Sequence, residues 1–171
     1  MRPNPKLHVY LDEIDVLQMC YAAFESYPNE TFGLFLGETT IGKKGRRVFK
    51  IHFIQVLQRG KRTTDNVFYK DEKIQQLIQN YTFDVIGDFH SHPEDEHSRL
   101  PSKTDVVDVM NNYGNNSIFA ILKIKSSNRT DAKIKREKTR IACLLNGLII
   151  YIYFYSPKPE LNGYRNNKTP E

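Results

Sequence analysis

Two histidines one residue apart, His90 and His92, close the apolar stretch Phe83–Phe89 and are followed by Pro93. Alternate residues of an extended chain point to the same side, so both imidazoles can aim at one point. Pro93 cannot continue a ladder and turns the chain away. A carboxylate follows at Asp105, within the segment Pro101–Asp105 (PSKTD). Ser102 suits the N-cap of a helix, which puts Asp105 at N3 in the first turn. Where that turn packs against the strand end, two imidazoles and one carboxylate meet as three ligands for a divalent cation, with zinc as the expected metal. A structural zinc site is closed by four protein ligands, commonly thiolates. This set is neither closed nor soft, so it reads as catalytic, with a fourth position for water. Zinc would lower the pKa of that water to about 7.

Such chemistry needs a proton acceptor that is not a ligand. Glu30, in NETFGLFLG just ahead of a compact apolar run, is the candidate general base. Ser102 can cap its helix and also donate to a developing oxyanion. Taken singly, each residue has an ordinary explanation. Ser102 with Asp105 is a variant of the capping box, the histidines could be satisfied polar residues at a strand end, and Glu30 could be an exposed loop acid. The order E-x-x-G-x-x-x-G, then a strand into HSHP, then PSxxD, is what joins them.

Glu30–Gly37 (ETFGLFLG), His90–Pro93 (HSHP) and Pro101–Asp105 (PSKTD) resemble the JAMM motif of the MPN, or JAB, metalloprotease family, particularly its stand-alone prokaryotic members. The resemblance implies His90, His92 and Asp105 as ligands of one Zn2+ per chain. It implies Glu30 as catalytic acid/base and Ser102 as oxyanion-stabilising serine. It further implies a single mixed α/β domain, cytidine-deaminase-like, with a curved sheet flanked by helices. The implied activity is hydrolysis of the amide bond after the C-terminal tail of a ubiquitin-like protein, free or conjugated. Trimming of a sulfur-carrier type of ubiquitin-like protein, deconjugation in a bacterial antiphage system, and a non-catalytic scaffold stay open as alternatives. One departure stands out. Nine residues separate His92 from Ser102, two more than the family's usual spacing. That acidic loop carries His97, read here as a solvated histidine.

These residues must be held by a folded core. The chain has 171 residues, enough for one domain, with 12% aromatic and 39% hydrophobic residues. Leu7–Tyr10 suits a short strand. Asp12 can cap a helix whose inward stripe is Ile14, Leu17, Tyr21 and Phe24, ending near Pro28. Thr31–Leu36 and Val48–Leu57 read as strands around a basic turn at Gly42–Gly45. A second helix is expected over Lys70–Gln79, with Ile74, Leu77, Ile78 and Tyr81 on one stripe. A third runs from Ser102 to about Met110. Ser117–Ile124, Ile141–Leu145 and Leu148–Tyr155 are late strands, the last two joined by a tight Asn146–Gly147 turn. Ser126–Lys138 reads as a polar, basic loop between strands, either a plain connector or, by the family resemblance, a loop that holds the distal partner. His8 and His52 fall on strands as structural residues. The domain is expected to span residues 1–156, with 157–171 a polar tail.

No apolar run reaches the roughly eighteen residues of a membrane span, and the N-terminus lacks the apolar core of a signal peptide. Cys20 and Cys143 are expected as buried free thiols, and a cytoplasmic location follows from both observations. The net charge is +5, concentrated in Lys43–Arg47, Arg59–Arg62 and Lys133–Arg140. These read first as solvated loop tips and second as a surface for an anionic partner. No segment carries a nucleic-acid motif, so neither nucleic acid nor membrane is expected as a partner. The oligomeric state is left open.

Overall fold

The computed structural model describes residues 7–57, 61–62, 67–68, 79–80, 82–92, 100–137 and 140–157. Most of the segment expected as the second helix, the insertion that carries His97, and the polar tail beyond residue 157 lie outside the described residues.

Eight strands form one mixed sheet: β1 (Leu7–Tyr10), β2 (Phe32–Ile41), β3 (Arg47–Val56), β6 (Asp84–His92), β7 (Ile118–Ser126), β8 (Lys133–Arg136), β9 (Ile141–Leu145) and β10 (Leu148–Tyr155). Their spatial order is β1-β3-β2-β6-β7-β10-β9-β8. The pairs β1/β3 and β6/β7 are parallel and the rest antiparallel. Two short strands, β4 (Lys61–Arg62) and β5 (Val67–Phe68), pair separately. Among the described residues the α-helices are α1 (Glu13–Ser26) and α2 (Lys103–Tyr113), with one 3-10 turn at Lys43–Gly45.

The helices take opposite faces of the sheet. α1 lays Val16, Met19, Cys20 and Ala23 on a core that includes Phe35, Phe49, Phe89, Leu122 and Ile152. On the other face Val109 of α2 packs with Phe119, Ile121 and Tyr155. Phe32, Leu34, Leu36 and Leu57 form a neighbouring cluster, and Tyr113 touches both. The strands beneath are apolar on both sides because both sides are covered.

The α1 stripe corrects the sequence expectation. Ile14, Leu17 and Tyr21 are 60%, 40% and 56% exposed. The helix is apolar on two sides, so periodicity admits either as the inner one. The side that docks is the one with Val16, Met19, Cys20 and Ala23. A second correction concerns Ser126–Lys138, which is not merely a connector: it contains β8, paired with β9. Its alternation is masked in the sequence because the solvent face and the strand ends are all lysine and arginine.

The late hairpin is as expected, with Asn146 and Gly147 at φ of 44° and 81°, the mirror-image turn that matches strand twist. The sheet is irregular near its centre. Phe35 pairs with Gly87 and Leu36 with Val85, so Ile86 is an extra residue on β6. A second irregularity falls between Leu36 and Gly37 against β3. Bulges of this kind bend and twist a sheet, and they recur beside functional sites. Gly87 has φ 152°, and a Cβ there would fall on the Ile118 carbonyl of the neighbouring strand.

Cys20 and Cys143 are both free and buried. They meet between α1 and β9, where the Cys143 thiol and burial together push Cys20 above its ordinary value. Among the described residues no helix is long and apolar enough to cross a membrane.

Candidate metal centre

β6 runs through both histidines rather than stopping before them. Beyond the bulge, Asp88, His90 and His92 occupy alternate positions on the face covered by α2, while Phe89 packs on the α1 side. His90 is held in the sheet between Phe32 of β2 and Ile121 of β7.

Three side chains converge at the strand end. His90 Nε2 lies 3.0 Å from His92 Nε2 and 3.5 Å from Asp105 Oδ1. One ligand atom from each of the three residues lies within 4.8 Å of the others. Asp105 divides its carboxylate. Oδ2 accepts from the Ser102 backbone N–H at 2.6 Å, which leaves Oδ1 turned towards His90. The Asp105 backbone N–H in turn donates to Ser102 Oγ at 3.1 Å. The capping box is therefore real, and it is also what aims the ligand oxygen.

This donor set fits a zinc ion. Ligands about 2.0–2.1 Å from a tetrahedral centre are separated by about 3.3 Å, close to the separations of the nearest pairs here. Burial lowers His90 to about 4, against the Asp105 charge that opposes it, with His92 adding to the lowering. The neutral imidazole is the form that binds a metal. Among the described residues, His90, His92 and Asp105 are the ones that could hold a metal.

The other predicted residues are placed as follows. Glu30 is buried, at 7% exposure, immediately before β2. Its neighbour Thr31 is clipped to the strand between the two histidines: Ser91 N–H donates to the Thr31 carbonyl at 3.0 Å, and Thr31 N–H donates to Ser91 Oγ at 2.8 Å. Glu30 precedes by two residues Phe32, the partner of His90 on β6. The ordinary reading of Glu30 as an exposed acid does not hold. Ser102 is exposed at the helix start, and its hydroxyl accepts from Asp105 while keeping a proton to donate. His52 is structural, 3.1 Å from Glu38 and stacked on Phe83 at 4.5 Å between centroids. His8 is only partly exposed, and its buried Nε2 has no hydrogen-bond partner.

Asp88 was missed. It is 5% exposed on β6. Burial pushes it up to about 8, with Asp105 and Asp108 raising it further and a hydrogen bond with Tyr113 of α2 pulling it down. Its signal was present in the sequence as a third step of the same alternation, D-x-H-x-H. Ser91, read only as the spacer between the histidines, is the other omission.

The strand order, the helices on opposite faces and the site at the end of β6 define a mixed α/β domain with a three-residue group able to hold a metal. The model of the prokaryotic homologues of the JAB domain matches residues 14–135, well over half of the chain. The chain belongs to that family. A solved structure, the solution structure of a protein from Salinibacter ruber, is 21% identical, with a TM-score of 0.41, and the match covers 68% of this chain and 72% of that one. No curated protein matches the chain.

Proposed function

We propose that the chain is a zinc-dependent peptidase of JAMM type, hydrolysing the amide bond that follows the C-terminal tail of a ubiquitin-like protein. The observation that carries this reading is the convergence of His90 Nε2, His92 Nε2 and one Asp105 oxygen within 4.8 Å, three ligands and no fourth among the described residues. Three ligands leave a position for water or substrate, which separates catalytic from structural zinc. Zinc in such a set supplies Lewis-acid polarisation of a carbonyl and a more acidic water.

The chain's own residues supply the rest. Glu30, buried beside the clip from Thr31 to Ser91, takes a proton from water and delivers it to the departing amine. The Ser102 hydroxyl proton, not engaged by Asp105, is donated to the oxyanion as the carbonyl carbon becomes tetrahedral. A substrate tail lying extended beside a sheet edge would pair its backbone with it. Reversal of conjugation and trimming of a precursor are both amide cleavages at such a tail, and this site serves either.

The test uses ubiquitin-like proteins carrying a C-terminal coumarin amide, with metal content measured on the same samples. The expected result is stoichiometric zinc and coumarin release in the wild type. Glu30→Gln should keep the zinc and lose release by about 10²- to 10⁴-fold, and His92→Ala should lose the metal. Full turnover by Glu30→Gln removes the mechanism. Stoichiometric zinc without turnover on any such protein supports a scaffold instead.

A further inference from the structure

One register row crosses the sheet from the metal centre to its far edge. His92 pairs with Lys123 of β7, Lys123 with Tyr151 of β10, Tyr151 with Ala142 of β9, and Ala142 with Lys135 of β8. Paired residues point to the same face, so this row lies on the side of the sheet that carries the histidines. The neighbouring rows add Tyr153, then Lys125 with Ile149, then Lys133. α2 reaches only the near end of this face, around Phe119, Ile121 and Tyr153. Beyond it Lys125, Lys133 and Lys135 are exposed, and Ile149, Tyr151 and Ala142 are partly exposed.

The centre of this surface is fixed. The Arg140 guanidinium lies 4.1 Å from the Tyr151 ring centre. It donates from NH1 to the Tyr153 hydroxyl at 3.2 Å and from Nε to Glu137 at 2.6 Å. Glu137 is the acid of this region and already faces Arg140 and Lys135. Asp131, in the adjoining loop, is engaged by Arg129. The acids near the metal, Asp88, Asp105 and Asp108, sit at the α2 end. Among the described residues the far end is therefore a mixed apolar and cationic surface with an excess of positive charge, contiguous with the candidate metal centre.

We infer that this face docks an acidic, partly apolar polypeptide segment of the substrate. Charge complementarity selects an acidic occupant. The choice of polypeptide over nucleic acid comes from the rings. Base stacking needs an open aromatic face, and one face of Tyr151 is taken by Arg140, while Tyr153 packs against the cluster beneath α2. What is offered instead is side-chain-sized apolar ground, Ile149 and Ala142, between lysines. The segment's connection to a scissile bond rests on the peptidase reading above; its binding does not.

The experiment reads binding without turnover. The full chain is titrated into a short fluorescein-labelled peptide of alternating Glu and Leu, and separately into labelled oligo-dT of the same net charge. The double variant Lys125→Glu/Lys135→Glu is compared with Lys43→Glu/Lys50→Glu, which makes the same charge change near the opposite edge. The expected result is peptide binding weakened by about tenfold in the first variant, steeply salt-dependent, and altered less than about twofold in the second. Melting curves and zinc content establish that both variants are folded. Equal loss in both variants, or no peptide binding by the wild type, overturns the docking surface. Tighter binding of oligo-dT, lost in the same variant, replaces it with a nucleic-acid site. If the chain proves to cleave nothing, the peptide result still stands or falls by itself.

Discussion

Asp105 holds its own helix cap with one carboxylate oxygen, 2.6 Å from the Ser102 backbone nitrogen, and presents the other to His90 at 3.5 Å. A common helix-start device thus also orients the carboxylate of a group that could hold a metal. The ligand's direction is set by backbone, which outlasts side-chain rotation.

This sharing separates the two roles of Ser102 experimentally. Ser102→Ala removes the cap acceptor of the Asp105 N–H and should cost about 1 kcal/mol of stability, whereas Ser102→Gly should cost only a few tenths. Both remove the hydroxyl donor. Urea denaturation should therefore distinguish the two variants, while turnover falls about 10²- to 10³-fold in each. Equal activity of Ser102→Gly and wild type would leave the serine as a cap alone.

Gly87 admits no side chain. Its φ is 152° and a Cβ would fall on the Ile118 carbonyl, so either β7 shifts or β6 straightens. Gly87→Ala should destabilise by more than about 3 kcal/mol, or fail to fold. A partly folded variant should bind zinc weakly, since the histidines lie on the strand that moves. Wild-type stability and zinc affinity in this variant would show that the irregularity is dispensable.

Asp88 gives a pH dependence with a definite sign. Its folded value of about 8 lies above the ordinary 3.8, so the native state holds a proton that the unfolded chain has released. Stability from this group is fully present below about pH 4 and declines as pH rises through about 8. Asp88→Asn keeps a polar partner for Tyr113 and cannot ionise. In protein stripped of metal by chelation, its melting temperature should exceed the wild-type value at about pH 9, and the gap should shrink towards about pH 5. A gap that is constant or widens on acidification would contradict the assignment.

Much of this molecule was legible in its residues. The His90, His92 and Asp105 group could be read because each member sits at an element boundary that leaves a local mark: an apolar strand before the histidines, a proline after them, a capping residue before the aspartate. The late hairpin was equally plain, since Asn146–Gly147 permits little else between two apolar runs. What escaped was decided between elements. Which side of α1 faces inward is settled by packing against the sheet, and Ile14, Leu17 and Tyr21 satisfy the same period as the buried set. β8 hides within a lysine-rich segment because its apolar content is one isoleucine, Ile134, facing the core. Glu30 is buried, and its neighbour Thr31 is held by a contact sixty residues away in the chain, with Ser91, which no local pattern announces.

Ile86 has no counterpart across from it on β2. Count the strand without it, and every later residue exchanges sides: Phe89 would look out towards α2, and both imidazoles would sink among the apolar side chains beneath α1. The spacing of HSH is the same in either case. Parity, set by one supernumerary isoleucine upstream, decides whether these rings face Asp105 or oil, and a single-codon deletion there would scatter the group while leaving every one of its members in the gene.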